Sequence, residues 1–316
     1  MSNIKRFSFL ILSVIICFGN FFIPVVANGS YQSALAKGTD FFIVSSYDAD
    51  KWSDTFIDSI LPTTFFDGES NITGAESKVI LYRYSYISLD FYGIIKDFIF
   101  QGQQLADLIA LEDYGYNESK INILFPNNYL LWSGLQAVWF FNSSESAETP
   151  NTALSPIFIF KNPSQFKDVL EFRDILRNDD NVNKSKVSAL VNYTSDEFLR
   201  DLAFNGLALG VPIVSYLNTL ITELNPDNAT SSTDTDGNPI LIINGYSRTN
   251  YTLVFKYGSD GTFSEFKVKD ETGFTIYHIT SYNREGIFYI ALIIIIGVMA
   301  ALIGLYLYMH KKRLSK

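Results

Sequence analysis

Cysteine is almost missing from this 316-residue chain, and histidine is nearly so. The one cysteine, Cys17, lies in an apolar stretch near the start, so the remainder has no disulfide and no thiolate chemistry. Cys17 follows Val14-Ile15-Ile16 rather than the small residues that precede a lipidated cysteine. The two histidines are His278 and His310. A hydrolytic triad would therefore depend on His278, and no G-x-S-x-G elbow accompanies it. Zinc sites of the Cys/His kind are excluded by supply. A phosphate-binding glycine loop is also missing: Gly206-Leu-Ala-Leu-Gly210 falls at a helix end and no lysine follows it. Positive charge is scarce as well. The chain has 24 Lys and Arg against 33 Asp and Glu, a net charge of −9. Two basic residues sit in the first six positions and four in the last six. Residues 28–286 thus hold 18 basic against 33 acidic groups, a formal charge of −15. That balance argues against nucleic acid as a partner.

What the chain does have is a long uncharged run. Ile287–Met309 reads IFYIALIIIIGVMAALIGLYLYM, about 34 Å as a helix, enough to cross a bilayer. His310, Lys311, Lys312, Arg313 and Lys316 follow, which places residues 310–316 as a basic cytoplasmic tail and everything before Gly286 outside. Phe288, Tyr289, Tyr306 and Tyr308 stand where interfacial aromatics belong. Within the run, Gly297/Ala301 and Ala300/Gly304 form a small-residue stripe suited to homodimerisation of spanning helices. At the other end, Lys5-Arg6, an apolar core Phe7–Phe18 and Val25-Val26-Ala27 read as a secretory signal peptide over 1–27, with an uncleaved second anchor as the alternative.

The outer segment carries eight N-x-S/T sequons, at Asn28, Asn71, Asn117, Asn142, Asn183, Asn192, Asn228 and Asn250, so glycosylation is expected at some of them. Its pattern predicts strands over Thr39–Tyr47 and Ser77–Leu89, a helix from about Trp52 to Pro62, and a further strand over Phe91–Phe100. A short helix over Gln103–Glu112, a strand over Ile121–Phe125 and a buried helix over Tyr129–Phe141 follow. Ile157–Phe160 reads as a buried strand. Asn162-Pro163, Thr194 with Glu197, and Pro212 each open a helix. Residues 28–226 form a mixed part, 227–238 a polar loop or linker, 239–280 an antiparallel meander of the same domain, and 281–286 a juxtamembrane linker. The expected class is α+β: an antiparallel sheet with helices on one side, plus one C-terminal transmembrane helix.

Three features invite chemistry. Asp234, Asp236 and Asn238 cluster oxygens that could hold calcium, without the EF-hand spacing; no other cofactor is expected. Asp48, Asp50 and Asp54 form a second cluster, better read as a helix cap and polar face. Tyr82, Tyr84 and Tyr86 line one strand face, with Val79, Leu81, Ile87 and Leu89 expected on the other. Uncovered, that stripe would take a glycan or an apolar ligand; covered, it is core. His278 alternates with Phe274 and Ile276 and reads as a structural residue of a strand.

This layout resembles uncharacterised archaeal single-pass cell-surface proteins, which combine a signal peptide, a sequon-rich acidic domain and a last helix with a basic tail. The resemblance implies a cell-membrane location, N-terminus outside, and carries no activity or site residues with it. The expected function is a membrane-anchored, glycosylated, non-enzymatic ectodomain that binds a surface protein or glycan partner or builds the envelope. A carrier or receptor for an apolar or glycan ligand is the alternative, and a carboxylate-based extracellular hydrolase the third reading.

Overall fold

The computed structural model describes residues 31–144 and 152–282. The signal segment, Asn28, and the Ile287–Met309 run with Gly297, Ala300, Ala301 and Gly304 lie outside the described residues, and no helix among those described is long and apolar enough to cross a membrane.

The chain folds as α+β, with a curled antiparallel sheet and helices. Nine strands form one sheet: β1 Gly38–Tyr47, β2 Glu76–Leu89, β3 Tyr129–Trp139, β4 Thr152–Phe160, β5 Ala229–Thr233, β6 Pro239–Tyr246, β7 Asn250–Tyr257, β8 Phe263–Asp270 and β9 Thr275–Tyr282. Their spatial order is β4-β3-β2-β1-β9-β8-β7-β6-β5. Two meanders therefore meet where the first strand pairs with the last, through Val44 opposite Ile279. The expected meander over 239–280 is present as β6–β9 and is continuous with the strands before it. Helices fill the connections: α1 Ala49–Thr55 after β1; α2 Phe91–Ile94, continuing as a π-turn Ile95–Ile99, then α3 Gly102–Ala110 and α4 Glu118–Leu124 between β2 and β3; and α5 Lys167–Asn178, α6 Ser188–Val191, α7 Ser195–Phe204 and α8 Ile213–Leu224 between β4 and β5.

Several expectations need correction. Tyr129–Phe141 is not a helix, because its length is strand β3, paired on both sides. Tyr129, Leu131 and Ala137 are buried on one face, and Leu130, Trp132 and Val138 make the other face apolar as well, so the pattern lacks alternation. Phe91–Phe100 is helical rather than extended: Asp90 caps it, accepting from the Gly93 N–H at 2.8 Å. Ile121–Phe125 lies mostly in α4, capped by Asn117 accepting from Lys120 N–H. The polar stretch 227–238 contains β5 and a tight turn rather than a bare linker. Helix α1 stops at Thr55, well before Pro62.

The helices also do not keep to one side of the sheet. Alternate strand residues share a face. Following the register from Phe255 through Phe266, Ile279, Val44, Phe42, Ser77, Leu81 and Gln136 traces one face. Tyr129 and Leu131 therefore lie on the opposite face. Phe204, at the end of α7, packs against Phe255 and Phe266 on the first face. On the second, Tyr129 packs against Phe91 of α2 and donates from its hydroxyl to Asp168 of α5 at 2.5 Å. Helix α7 joins the two layers around the β4 edge. Its Phe198 packs with Phe166 and Tyr193 among the second-face helices. Beyond Phe204 the chain lies along β4, where Phe158 N donates to Gly206 O and Ala208 N to Phe158 O. Leu209 N then donates to Gly261 O in the β7–β8 turn at 2.8 Å. One short segment thus ties the β4 edge to the far meander.

Candidate functional site

Strand β2 carries the exposed aromatic residues that matter. Tyr82, Tyr84 and Tyr86 are 50%, 39% and 47% exposed, whereas most rings of the sheet and helices are buried. A β-bulge between Leu81 and Arg83 makes Tyr82 the unpaired residue. The bulge also corrects the expected facing: Val79 and Leu81 share a face with Tyr84 and Tyr86, while Ile87 and Leu89 turn to the helices of the other face.

Neighbouring β3 completes the patch. Trp132 stands opposite Tyr86, with ring centroids 5.1 Å apart. Gly134 stands opposite Tyr84. A Cβ at Gly134 would come within 2.8 Å of the Arg83 carbonyl and 3.0 Å of both Ile157 Cγ2 and Leu81 Cδ1. The glycine therefore lets Leu81 and Ile157, both buried, close over the backbone of β3 beside the tyrosine rings. Lys161 brings an ammonium to 5.8 Å from the Tyr86 centroid, and Gln136 extends the same face. An uncovered row of flat rings with a cation at its rim can stack on an apolar or weakly polar ring and hydrogen-bond its substituents. Trp132, Gly134 and Lys161 were not identified from sequence, since β3 read as a helix there and nothing local pairs them with β2.

On the opposite face of the same strands, Arg83, Ser85, Ser133 and Leu135 join Asp97 and Phe98 of the π-turn around an open cleft of about 620 Å³. Exposed Leu154 of β4 lies at its rim.

The other sequence-flagged groups have structural tasks. Asp234 accepts from the N–H groups of Asp236 and Asn238 and from Asn238 Nδ2, and Lys256 Nζ lies 2.6 Å from its carboxylate. The lysine hydrogen bond, with these N–H groups, holds the Asp234 carboxyl well below the usual carboxylate range. The Lys256 ammonium thus shares the Asp234 carboxylate with these N–H groups. Asp48 caps α1 by accepting from Lys51 N–H, while Asp50 and Asp54 are exposed on it. His278 Nε2 lies 2.7 Å from Glu265 Oε1, and Lys267 reaches the same oxygen. Burial lowers the His278 pKa against the opposing pull of Glu265. Among the described residues, no group of three or more His, Cys, Asp or Glu could hold a metal.

Carboxylates of the helical layer are engaged by tyrosines. Tyr116 donates to Asp179, Tyr129 to Asp168 and Tyr193 to Asp201. Burial and the Asp179 contact push the Tyr116 hydroxyl up to about 12. These pairs position helices against β3 and against one another.

Six sequon asparagines, Asn71, Asn117, Asn183, Asn192, Asn228 and Asn250, are exposed, and Asn142 is half-buried. Asn228 is less free than a loop position: its N–H and Nδ2 both donate to Asp196. No protein-family model, no curated protein and no solved structure matches the chain.

Proposed function

We propose that this chain is a single-pass cell-surface protein whose glycosylated, non-enzymatic ectodomain binds a glycan on the β2–β3 aromatic face. The anchor is the uncharged Ile287–Met309 run with its basic flank, and the small-residue stripe within it is a route to homodimers. The observation that carries the binding reading is the exposure of Tyr82, Tyr84 and Tyr86 beside Trp132. A sugar ring has one apolar C–H face and a rim of hydroxyls. The tyrosine and tryptophan rings complement the first, and Lys161 and Gln136 the second. The acidic surface favours a neutral or cationic glycan over an acidic one.

A glycan array probed with the full chain in detergent tests this, followed by titration of the best ligand. Each stacked ring contributes about 0.5–1.5 kcal/mol beyond its buried area, so Tyr86→Ala should weaken binding roughly two- to twelvefold. Binding that survives Tyr86→Ala and Trp132→Ala unchanged would remove the aromatic face from the account.

A further inference from the structure

Two backbone irregularities flank the cleft on the side of β2 and β3 away from the tyrosine stripe. The first is the β-bulge between Leu81 and Arg83. In a regular strand Arg83 would share the face of Leu81. With the bulge it pairs with Leu135 and turns to the opposite face. The second is the π-turn Ile95–Ile99, closed by Phe100 N donating to Ile95 O at 2.7 Å. It buries Phe98 against Phe158 of β4, ring centroids 5.4 Å apart, and leaves Asp97 exposed. Bulges and π-turns interrupt regular hydrogen bonding and gather at functional sites, where a bulge re-aims a side chain. Here they place Arg83 and Asp97 on the lining of one cleft of about 620 Å³.

Both charges are free there. Arg173, Arg177, Arg200 and Arg248 each hold a carboxylate or a backbone carbonyl. Among the described residues, Arg83 has no such partner, although acidic groups outnumber basic ones 33 to 18 over 28–286. Asp97 has no partner among the described residues either. The rest of the lining mixes the hydroxyls of Ser85 and Ser133 with Phe98, Leu135, Pro156 and Leu154. Leu154 is 68% exposed, an apolar rim with nothing over it.

We propose that this cleft binds an apolar zwitterion: a free amino acid or a short peptide with both ends uncapped. Arg83 takes the carboxylate through paired N–H donors, and Asp97 takes the ammonium. Ser85 and Ser133 hydrogen-bond the remaining ligand oxygens. Phe98, Leu135 and Leu154 receive the apolar side chain. The cleft falls within the usual size range of small-ligand sites, about 300–1,000 Å³. A fatty acid would satisfy Arg83 but set its carboxylate against Asp97. A simple amine would leave Arg83 unpaired. The site is separate from the β2–β3 aromatic face and stands whether or not that face binds glycan.

Equilibrium dialysis of the full chain in lipid nanodiscs against radiolabelled leucine and leucyl-leucine tests this. N-acetylated and C-amidated leucyl-leucine serve as competitors. The expected result is saturable binding of at least one probe, and the preferred probe tells an amino-acid site from a peptide site. Each capped peptide should compete about tenfold less well, or worse, than the uncapped one. Arg83→Gln and Asp97→Asn replace exposed side chains and should keep the fold, as far-UV circular dichroism checks. Each should weaken binding about tenfold or more. The bound probe should also protect Arg83 from phenylglyoxal, read by mass spectrometry. Capped and uncapped peptides competing equally, binding unchanged in Arg83→Gln, or no saturable binding at millimolar probe would each overturn the proposal.

Discussion

The segment 206–211 makes a prediction that separates two costs. Gly261 has φ +81°, and a Cβ there would fall 2.0 Å from the Leu209 carbonyl oxygen. Gly273, in the next turn, has φ +83° but nothing within 4 Å of its Cβ position. Alanine at either site pays the left-handed backbone penalty, about 1–2 kcal/mol. At Gly261 it must also push the backbone of Leu209 away. That loses the Leu209–Gly261 hydrogen bond, about 1 kcal/mol net, and loosens packing that closes the sheet curl, about 1–2 kcal/mol more. Gly261→Ala should therefore cost about 3–5 kcal/mol, and Gly273→Ala about 1–2 kcal/mol. Urea unfolding of the full chain in detergent, followed by far-UV circular dichroism, measures both. Equal losses at the two glycines would show that the 206–211 strap does not hold the curl.

Other perturbations follow from single contacts. Thr194→Ala removes the capping box in which Thr194 Oγ1 accepts from Glu197 N–H, and should cost about 1 kcal/mol in urea unfolding, with Thr194→Ser close to wild type. His278 has its folded pKa below its unfolded value of about 6.5. Its contribution is therefore full above pH 6.5 and is lost as pH falls through the depressed folded value. Unfolding midpoints measured between pH 7.5 and 5.5 should fall on acidification, and less steeply in His278→Gln. Millimolar calcium should leave the melting temperature unchanged, because Lys256 occupies the Asp234 carboxylate.

The second meander was legible because its residues alternate and its turns are marked. Leu253, Phe255 and Tyr257 point inward between partly exposed neighbours, and Gly258–Gly261 and Asp270–Gly273 make the turns. Helices opened by Asn162-Pro163 and Thr194 were legible from their caps. Strand β3 was not, because a run apolar on both faces has no period, and length alone favoured a helix. Helix α2 was hidden for the opposite reason: Phe91 and Tyr92 have strand propensity, and Asp90 was the one local signal. The tyrosine stripe could be read along β2, but its facing depended on a bulge that no residue type announces. Trp132, Gly134 and Lys161 reach it only through β2–β3–β4 pairing, which is information about distant sequence.

Glycan binding depends on the aromatic face of β2 and β3 being open to solvent. Hydroxyl-radical footprinting of the chain on intact cells, read by mass spectrometry, tests it most directly. Tyr82, Tyr84, Tyr86 and Trp132 should be oxidised readily, buried Tyr216 and Tyr257 should be spared, and the array-selected glycan should protect the first four. Contradiction would be protection of the tyrosine stripe without ligand, or oxidation that saturating glycan leaves unchanged.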